Sequence, residues 1–364
     1  LDIATEKEVF LASAANTVYL NPTANLLMDG FMAETVFMKG TMEKLGITPE
    51  FIQLKEYKSA ETYSRDSMTP EIRSMYEELL GSMQDHFLQT VSEARGLRLE
   101  ILQSYLNKGI ISGTDAVTLD LIDEMGYSPN IAEKLHESFA LPPERSFISL
   151  NRYLHSSDSL ISVGSKARIA VVGAEGMIIT GKSQAMTDML GSTTITRTLS
   201  SLRLNDQIDG VILRVNSPGG SAVASDMIWR EIVNLENSGK PVIVSMSGVA
   251  GSGGYYISMG ARRIICHPTT ITGSIGVIFG KFDISGLMEK LGMKVDTVKM
   301  SPNADFFSLY SSLNEEQRDL IEEMMAETYK DFVSKAASGR GTSYEEFEPK
   351  DHGRIYTGKQ ALVA

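Results

Sequence analysis

The chain has 364 residues, a formal net charge of −12 and 42% hydrophobic residues. This length predicts two domains with separate cores, and the composition excludes a wholly disordered chain. The acidic balance argues against nucleic acid as the main partner, because binding to phosphates requires a basic surface. No apolar run approaches the ~18 residues of a membrane span. The lone cysteine, Cys266, excludes an internal disulfide framework.

The second half of the chain alternates predicted strands with predicted helices. Its short apolar runs are rich in β-branched residues and end in Ser, Pro or Gly, which is typical of buried parallel strands. The spacing of apolar residues predicts a helix at Ala222–Asn237 between two of these runs. Such alternation indicates an α/β fold. The strands are expected at Arg168–Gly173, Gly176–Thr180, Asp209–Val215, Pro241–Met246 and Arg263–Cys266, the last as a buried strand.

A long amphipathic helix is predicted late in each half of the chain. The first begins at Thr69-Pro70, an N-cap followed by proline at the first helical position. The second begins near Leu313, where Ser312–Glu315 fits a capping box. Its apolar stripe is expected to lie in a core or an interface, and it consists of Leu320, Ile321, Met324, Met325, Phe332 and Val333.

The two halves also repeat each other in sequence. Met42–Gly46 and Met288–Gly292 both read MEKLG, at an offset of 288 − 42 = 246 residues. This period is too long for a solenoid and predicts a tandem duplication of one domain. The predicted boundaries are residues 1–155 for the first copy, 156–167 for a Ser-rich polar junction and 168–364 for the second copy. Other pairs near this offset are Asn21-Pro22 with His267-Pro268, Arg95-Gly96 with Arg340-Gly341, and Gly113 and Ala116 with Gly358 and Ala361.

The repeat further suggests that the chain is a fragment. A second copy that starts at residue 168 places the start of the first copy at 168 − 246 = −78, so about 80 residues are expected upstream. The second copy is likewise expected to continue beyond the last residue. A signal sequence or membrane anchor is therefore expected outside this chain.

Each copy carries chemistry that the other lacks. The second copy contains Ala250–Gly254 (AGSGG), which surrounds Ser252 with small residues, and the corresponding Thr5–Glu8 of the first copy has no serine. The first copy contains Lys58 within Tyr57–Ala60, and its counterpart falls at Asn303 or Ala304. This division predicts one active site assembled from both copies.

Ser252 has the surroundings of an exposed nucleophile. It follows a predicted strand and lies at the predicted start of a helix, so the N–H of Gly253 and the helix dipole would face a developing oxyanion. Asn216–Gly220 (NSPGG) follows another strand, and its glycines can present bare N–H groups. The alternative is that both segments are structural. Asn216–Gly220 would then be a strand-to-helix turn, and the glycines around Ser252 would allow a close packing contact.

A nucleophilic serine needs a base. Of the five histidines, His267 is nearest in sequence, but it occupies the turn position that Asn21 has in the first copy, which favours a structural role. Ala250 stands where a nucleophile elbow requires its first glycine, so a Ser-His-Asp triad is disfavoured. A lysine would serve only if a desolvated site kept it neutral. Lys58 is one of 34 basic residues, and the default position for a lysine is a solvated surface.

Four motifs together resemble the signal peptide peptidase A (protease IV) family in its long, duplicated form. They are NSPGGS at 216–221, GSGGYY at 251–256, TGSIGV at 272–277 and YKSA at 57–60. The order and spacing agree over essentially the whole chain, and the combination is specific although each motif alone is weak. The resemblance implies two tandem ClpP/crotonase-like α/β domains built from repeated ββα units.

The same resemblance implies a serine endopeptidase with a Ser/Lys dyad that needs no cofactor and no metal. It matches Ser252 to the nucleophile, Lys58 to the general base, Ser274 to the serine that orients the lysine, and Gly219 or Gly220, with Gly253, to the oxyanion hole. Its expected partners are cleaved signal peptides and other hydrophobic peptides, and its expected assembly is a homotetramer. Such enzymes act on the extracytoplasmic side of the bacterial inner membrane or at the thylakoid membrane.

Two other functions remain as alternatives. The first is an acyl-CoA enzyme of the crotonase type, which shares the fold and the oxyanion hole but uses carboxylates. The division of Ser252 and Lys58 between the copies argues against it. The second is a non-catalytic scaffold, against which the complete set of candidate residues argues. Covalent acylation of Ser252 separates an enzyme from a scaffold.

Overall fold

A computed structural model describes residues 1, 4–140, 167–184, 187–301 and 303–364. The predicted junction at 156–167 lies outside the described residues except for residue 167. The chain forms two compact units, residues 1–32 with 83–166 and residues 33–82 with 167–364. The segment 33–82, which the repeat assigns to the first copy, therefore belongs to the unit that contains Ser252.

The strands are short, and most consist of β-branched or other apolar residues. In chain order they are β1 (Ala4–Thr5), β2 (Tyr19–Leu20), β3 (Asn25–Leu27), β4 (Thr48–Gln53), β5 (Ile110–Ser112), β6 (Glu124–Met125), β7 (Ile169–Glu175), β8 (Met177–Ile179), β9 (Met189–Gly191), β10 (Gly210–Ser217), β11 (Val242–Gly251), β12 (Arg263–Ile265), β13 (Ile271–Gly273), β14 (Ile278–Asp283) and β15 (Ile355–Thr357).

The helices range from single turns to seven turns. They are Glu6–Ala12, Lys39–Leu45, Glu61–Ser64, Pro70–Arg95, Leu99–Leu106, Gly113–Thr118, Ser128–Ser138, Ser192–Leu204, Ala222–Asn237, Gly253–Tyr256, Ser285–Lys290, Glu315–Arg340, Tyr344–Asp351 and Gly358–Ala361.

The large sheet of the second unit has the order β15-β13-β11-β10-β7, and β12 also pairs with β11. β7, β10, β11 and β13 run parallel, whereas β15 is antiparallel to β13. Every second residue of β10 from Val211 to Val215 is buried, and the helix Ala222–Asn237 packs Ile228, Ile232 and Leu235 into the same core. The predicted α/β fold is thus confirmed, and the ends of parallel strands meet at one edge of the sheet.

The strand predicted at Arg263–Cys266 exists but is not buried. It spans Arg263–Ile265 and pairs with β11 at Ile243–Ser245. Ile265 is 57% exposed, and Cys266 is half-buried. The prediction of a buried strand was wrong because this apolar run lies off the main path of the sheet, where solvent reaches one side of it.

The second long helix begins two residues later than predicted. It spans Glu315–Arg340, and its capping box joins Asn314 to Gln317, so the box predicted at Ser312 was wrong. The Ser312 hydroxyl donates instead to Asp283 Oδ2 at 2.6 Å. The predicted apolar stripe is only partly internal. Ile321, Met325, Phe332 and Val333 are buried, whereas Leu320 and Met324 are 44% and 52% exposed.

The duplication is visible in matching elements of the two copies. The helices Pro70–Arg95 and Glu315–Arg340 both have 26 residues. Each is followed by a left-handed glycine, Gly96 at φ 65° and Gly341 at φ 70°. Proline at position 70 opens the first of them, as the sequence predicted.

The segment 33–82 is built into the second unit by strand pairing. β4 pairs antiparallel with β14, from Thr48 opposite Asp283 to Gln53 opposite Ile278. The two MEKLG motifs are in contact within this unit. Lys290 Nζ of the second motif donates a hydrogen bond to the Lys44 carbonyl of the first. The pairing of β4 with β14 positions the loop between β4 and the helix Glu61–Ser64. Lys58 lies in this loop.

Candidate active site

Ser252 lies in a strained turn between β11 and the helix Gly253–Tyr256. Its backbone has φ 52° and ψ −119°, a conformation that costs a non-glycine residue about 1–3 kcal/mol. Its N–H donates to the Gly273 carbonyl at 2.8 Å, and its carbonyl accepts the N–H of Tyr256 at 2.9 Å. The half-buried side chain makes no capping hydrogen bond to the helix that it precedes. The turn therefore holds the backbone of Ser252 and leaves its hydroxyl for another role.

Glycines are required around Ser252 because another backbone passes very close. A Cβ on Gly219, at φ 107°, would lie 2.8 Å from Ser252 Cβ and 2.7 Å from the Gly253 nitrogen. A Cβ on Gly253 would lie 2.5 Å from Ser225 Oγ, and one on Gly220 would overlap the Ile178 oxygen. The NSPGG turn thus lies directly against the serine, as the sequence hypothesis required.

The two glycines of that turn use their N–H groups differently. Gly219 donates to Ser217 Oγ at 3.2 Å, and its carbonyl accepts the N–H of Ile178 at 2.8 Å. None of the hydrogen bonds among the described residues uses the N–H of Gly220, which is exposed. Gly220 and the helix N-terminus at Gly253 are therefore the better-placed donors for an oxyanion.

We predict that Gly219→Ala lowers the rate at which a serine-directed reagent acylates Ser252 by at least about 100-fold, because its methyl group would displace the Gly253 nitrogen and Ser252. Gly181→Ala is the matched control. Gly181 also has positive φ, at 95°, but a Cβ added there would meet no atom within 4 Å, so backbone strain occurs without crowding. Initial rates and thermal unfolding of both variants separate the two effects. Equal acylation rates of the two variants would contradict this geometry.

Lys58 is held by Ser274 at the neighbouring strand end. Its Nζ donates to Ser274 Oγ at 2.8 Å and to the Ser274 carbonyl at 3.0 Å. Ser274 itself has φ 54° and directly follows β13, whose Gly273 pairs with Gly251 of β11. Lys58 and Ser274 therefore lie at the same sheet edge as Ser252 and within one compact unit of one chain.

The surroundings of Lys58 favour its neutral form. A Cβ on Gly276 would lie 3.2 Å from Lys58 Cγ, and one on Gly353 would lie 2.7 Å from Lys58 Cβ, so backbone packs tightly against the stem. Burial of the amine lowers the pKa of Lys58 to about 8, although the nearby charge of Asp351 acts in the opposite direction. A lysine with this pKa is partly neutral near neutral pH and is able to accept a proton.

His267 has the structural role that its position predicted. Its Nδ1 accepts the N–H of Thr269 at 3.3 Å and lies 2.8 Å from Thr269 Oγ1. In the other copy, Asn21 Oδ1 accepts the N–H of Thr23 in the same way, at 3.1 Å. The same side-chain turn is thus preserved in both copies, which leaves Lys58 as the candidate base.

Sequence reasoning missed the residues that brace Lys58 from the far end of the chain. Glu348 pairs with Lys55, and His352 Nδ1 lies 2.9 Å from Glu56 Oε1, so the helix Tyr344–Asp351 holds the Lys58 segment. Asp351 is 3% exposed. No sequence signal marked it, since it is one of 46 acidic residues and lies almost 300 positions from Lys58.

Among the described residues, no group of three or more His, Cys, Asp or Glu side chains is arranged to hold a metal ion. In the same part of the chain, no helix is long and apolar enough to cross a membrane. The candidate site consists of serine, lysine and backbone N–H groups, a donor set suited to acyl transfer.

Comparison with family models gives two matches. The model for peptidase family S49 matches residues 2–141 and 234–364, one segment in each copy. The model for Clp protease matches residues 162–271, which include β7, β10 and β11. The two separate segments of the first match agree with the tandem duplication, and the second confirms the ClpP-like fold.

Several proteins are similar over nearly the whole chain. The chloroplastic serine protease SPPA of Arabidopsis thaliana is 32% identical over 99% of this chain and 54% of that protein. Protease 4 of Salmonella typhi is 30% identical over 98% of this chain and 59% of its own length. Protease 4 of Haemophilus influenzae is 32% identical over 99% of this chain and 60% of its own length. The chain thus spans little more than half the length of these relatives.

Proposed function

Because the chain belongs to peptidase family S49, we propose that it is a serine endopeptidase in which Ser252 is the nucleophile and Lys58 is the general base. The observation that carries this proposal is the hydrogen bond of 2.8 Å from Lys58 Nζ to Ser274 Oγ, beside the strand end that bears Ser252. It supplies a desolvated, oriented amine in the same compact unit as the half-buried Ser252.

The proposed reaction is acyl transfer in two steps. Neutral Lys58 takes the proton from Ser252 Oγ, and the oxygen forms a bond to the carbonyl carbon of the peptide. The C–N bond then breaks, and lysinium gives its proton to the leaving amine. In the second step Lys58 takes a proton from water, whose oxygen attacks the ester, and the lysinium returns that proton to Ser252 Oγ as the acid leaves.

Ser274 acts in this proposal by orienting the base. Its hydroxyl and its carbonyl both accept from Lys58, which uses both N–H groups of the neutral amine and leaves its lone pair for the proton of Ser252. The N–H groups of Gly220 and Gly253 stabilise the oxyanion, and Gly219 provides the close approach that brings them together. The short helix after Ser252 adds its positive end to the same point.

The proposed substrates are hydrophobic peptides, including signal peptides after their cleavage from precursors. One relative, from Enterococcus faecium, is named a putative signal peptide peptidase SppA and is 32% identical over 57% of this chain. We expect hydrolysis of a fluorogenic peptide with apolar side chains and no hydrolysis of an otherwise identical peptide with acidic ones. Equal rates on both peptides would contradict this substrate class.

The acyl-CoA alternative predicts a different ligand. A ligand that binds the native protein raises its unfolding temperature, so an acyl-CoA enzyme should be stabilised by an acyl-CoA. We expect no stabilisation by acyl-CoA and covalent acylation of Ser252 by a peptide-derived active ester. Stabilisation by acyl-CoA without acylation of Ser252 would favour the alternative.

We further propose a homotetramer that associates with a membrane through a segment outside this chain, on the extracytoplasmic or thylakoid side. Exposed apolar side chains support an interface between copies. They cluster in residues 291–310, where Val298, Met300 and Phe307 are 91%, 96% and 76% exposed. Light scattering of the purified protein tests the tetramer, and a monomer at micromolar concentration would contradict it.

A further inference from the structure

Asp351 is a buried carboxyl group for which the reaction described above has no use. It ends the helix Tyr344–Asp351 and is 3% exposed. Its Oδ2 accepts the N–H of Gly353 at 3.2 Å, whereas Oδ1 has no hydrogen-bond partner among the described residues. An unsatisfied buried oxygen costs about 1–3 kcal/mol, so a carboxyl at this position needs a compensating function.

Two loops connect Asp351 to Lys58. Gly353, whose N–H binds Asp351, packs its backbone against the Lys58 stem. The backbone N–H of Ile275 lies close enough to the Asp351 carboxylate to lower its pKa, and Ile275 directly follows Ser274, which binds the Lys58 amine. The carboxyl is thus fixed by the same two backbone segments that fix the base.

The two groups also influence each other electrostatically. Burial lowers the pKa of Lys58 and raises the pKa of Asp351, each to about 8, and the opposite charge of the partner opposes both shifts. A proton on Lys58 therefore favours an ionised Asp351. An ionised Asp351 in turn favours the protonated lysine.

We propose that Asp351 is a positioning residue whose ionised carboxylate stabilises the lysinium formed when Lys58 takes the proton of Ser252. The proposal rests on the Ser252/Lys58 dyad proposed above. The proton moves from Ser252 to Lys58 and on to the leaving group, and Asp351 neither gains nor loses a proton on the high-pH plateau. Its part resembles that of a buried aspartate behind a catalytic histidine.

The phenols and the carboxylate near Asp351 keep one charge state over the pH range in which Lys58 titrates. The phenols that its charge reaches have raised pKa values and stay neutral below pH 10. Glu348 has a lowered pKa because Lys55 binds it, so it stays ionised at neutral and higher pH. Among the described residues, the ionisable groups near Asp351 include Lys58, Glu348, Tyr255, Tyr329, Tyr356, the adjacent Lys350 and His352, the nearby Arg354, and Arg340 beside Tyr255.

The test is the pH dependence of kcat/KM for a hydrophobic peptide ester in Asp351→Asn. Asparagine keeps the shape and an acceptor for the Gly353 N–H but removes the charge. We expect the rate-controlling ionisation to move to lower pH, because Lys58 then titrates without a counter-charge. We also expect the plateau in kcat to fall about tenfold with little change in KM, because the lysinium is no longer stabilised.

Asp283→Asn is the matched control, since Asp283 is 5% exposed and lies in β14. It should keep the wild-type pH profile. A wild-type profile and plateau in Asp351→Asn would overturn the proposal. Asp351→Ser, which keeps a short acceptor, is the second variant, and if neither Asp351 variant folds while Asp283→Asn does, the residue is structural and the proposal fails.

Ser252→Ala and Lys58→Met belong in the same series. If both are inactive but Asp351→Asn has the wild-type profile, this inference alone fails. If Ser252→Ala retains activity, the proposed dyad itself is wrong.

Discussion

Ser252→Ala is expected to lose at least about 1,000-fold in peptide hydrolysis, because removal of a covalent nucleophile leaves only the oxyanion hole and substrate binding. The fold should persist, since the side chain makes no capping bond and the backbone hydrogen bonds of the turn remain. Thermal unfolding and initial rates of the purified variant measure the two effects. Ser201→Ala, at an exposed serine on the helix Ser192–Leu204, is the control and should keep full activity.

Lys58→Met is expected to lower hydrolysis by about 100- to 10,000-fold, the usual contribution of a general base. Methionine keeps most of the stem that packs against Gly276 and Gly353 but removes the amine. The wild-type rate should rise with pH through the pKa of about 8, because only the neutral amine accepts a proton. A rate that is flat from pH 6 to pH 10 would contradict lysine as the base.

Stability provides an internal control for this variant. The folded pKa of Lys58 lies below the ~10.4 of an unfolded lysine, so folding releases a proton between these values and wild-type stability rises with pH across that window. Below pH 8 the buried charge is a cost that Lys58→Met lacks, so its unfolding temperature there should equal or exceed that of wild type. Lys281→Met, at another buried lysine, should remain active.

Local sequence was sufficient for the central strands β7, β10 and β11 and for the position of the proposed nucleophile. The runs at β7, β10 and β11 are apolar and end in Gly, Ser or Pro, so both their type and their parallel pairing could be predicted. Ser252 could be located because the glycines beside it are needed by the close backbone at Gly219. These features depend on residues near each other in the chain.

Tertiary contacts decided the features that sequence reasoning missed. The side chains of Ser312 and Asn314 both suit an N-cap. Because the Ser312 hydroxyl donates to Asp283, Asn314 caps the helix. Lys58 could be singled out only through family resemblance, because it meets Ser274 across 216 positions of the chain. Asp351 belongs to a third segment that is far in sequence from Lys58 and from Ser274. No spacing in the sequence indicates that these three segments come together.

The most direct test of a Lys58-activated Ser252 is covalent labelling with a serine-directed fluorophosphonate, followed by intact mass and peptide mapping. The account predicts one adduct, on Ser252, that forms faster as pH rises through about 8, and far slower labelling of Lys58→Met. Labelling of Lys58→Met at the wild-type rate, or an adduct on another residue, would contradict the account.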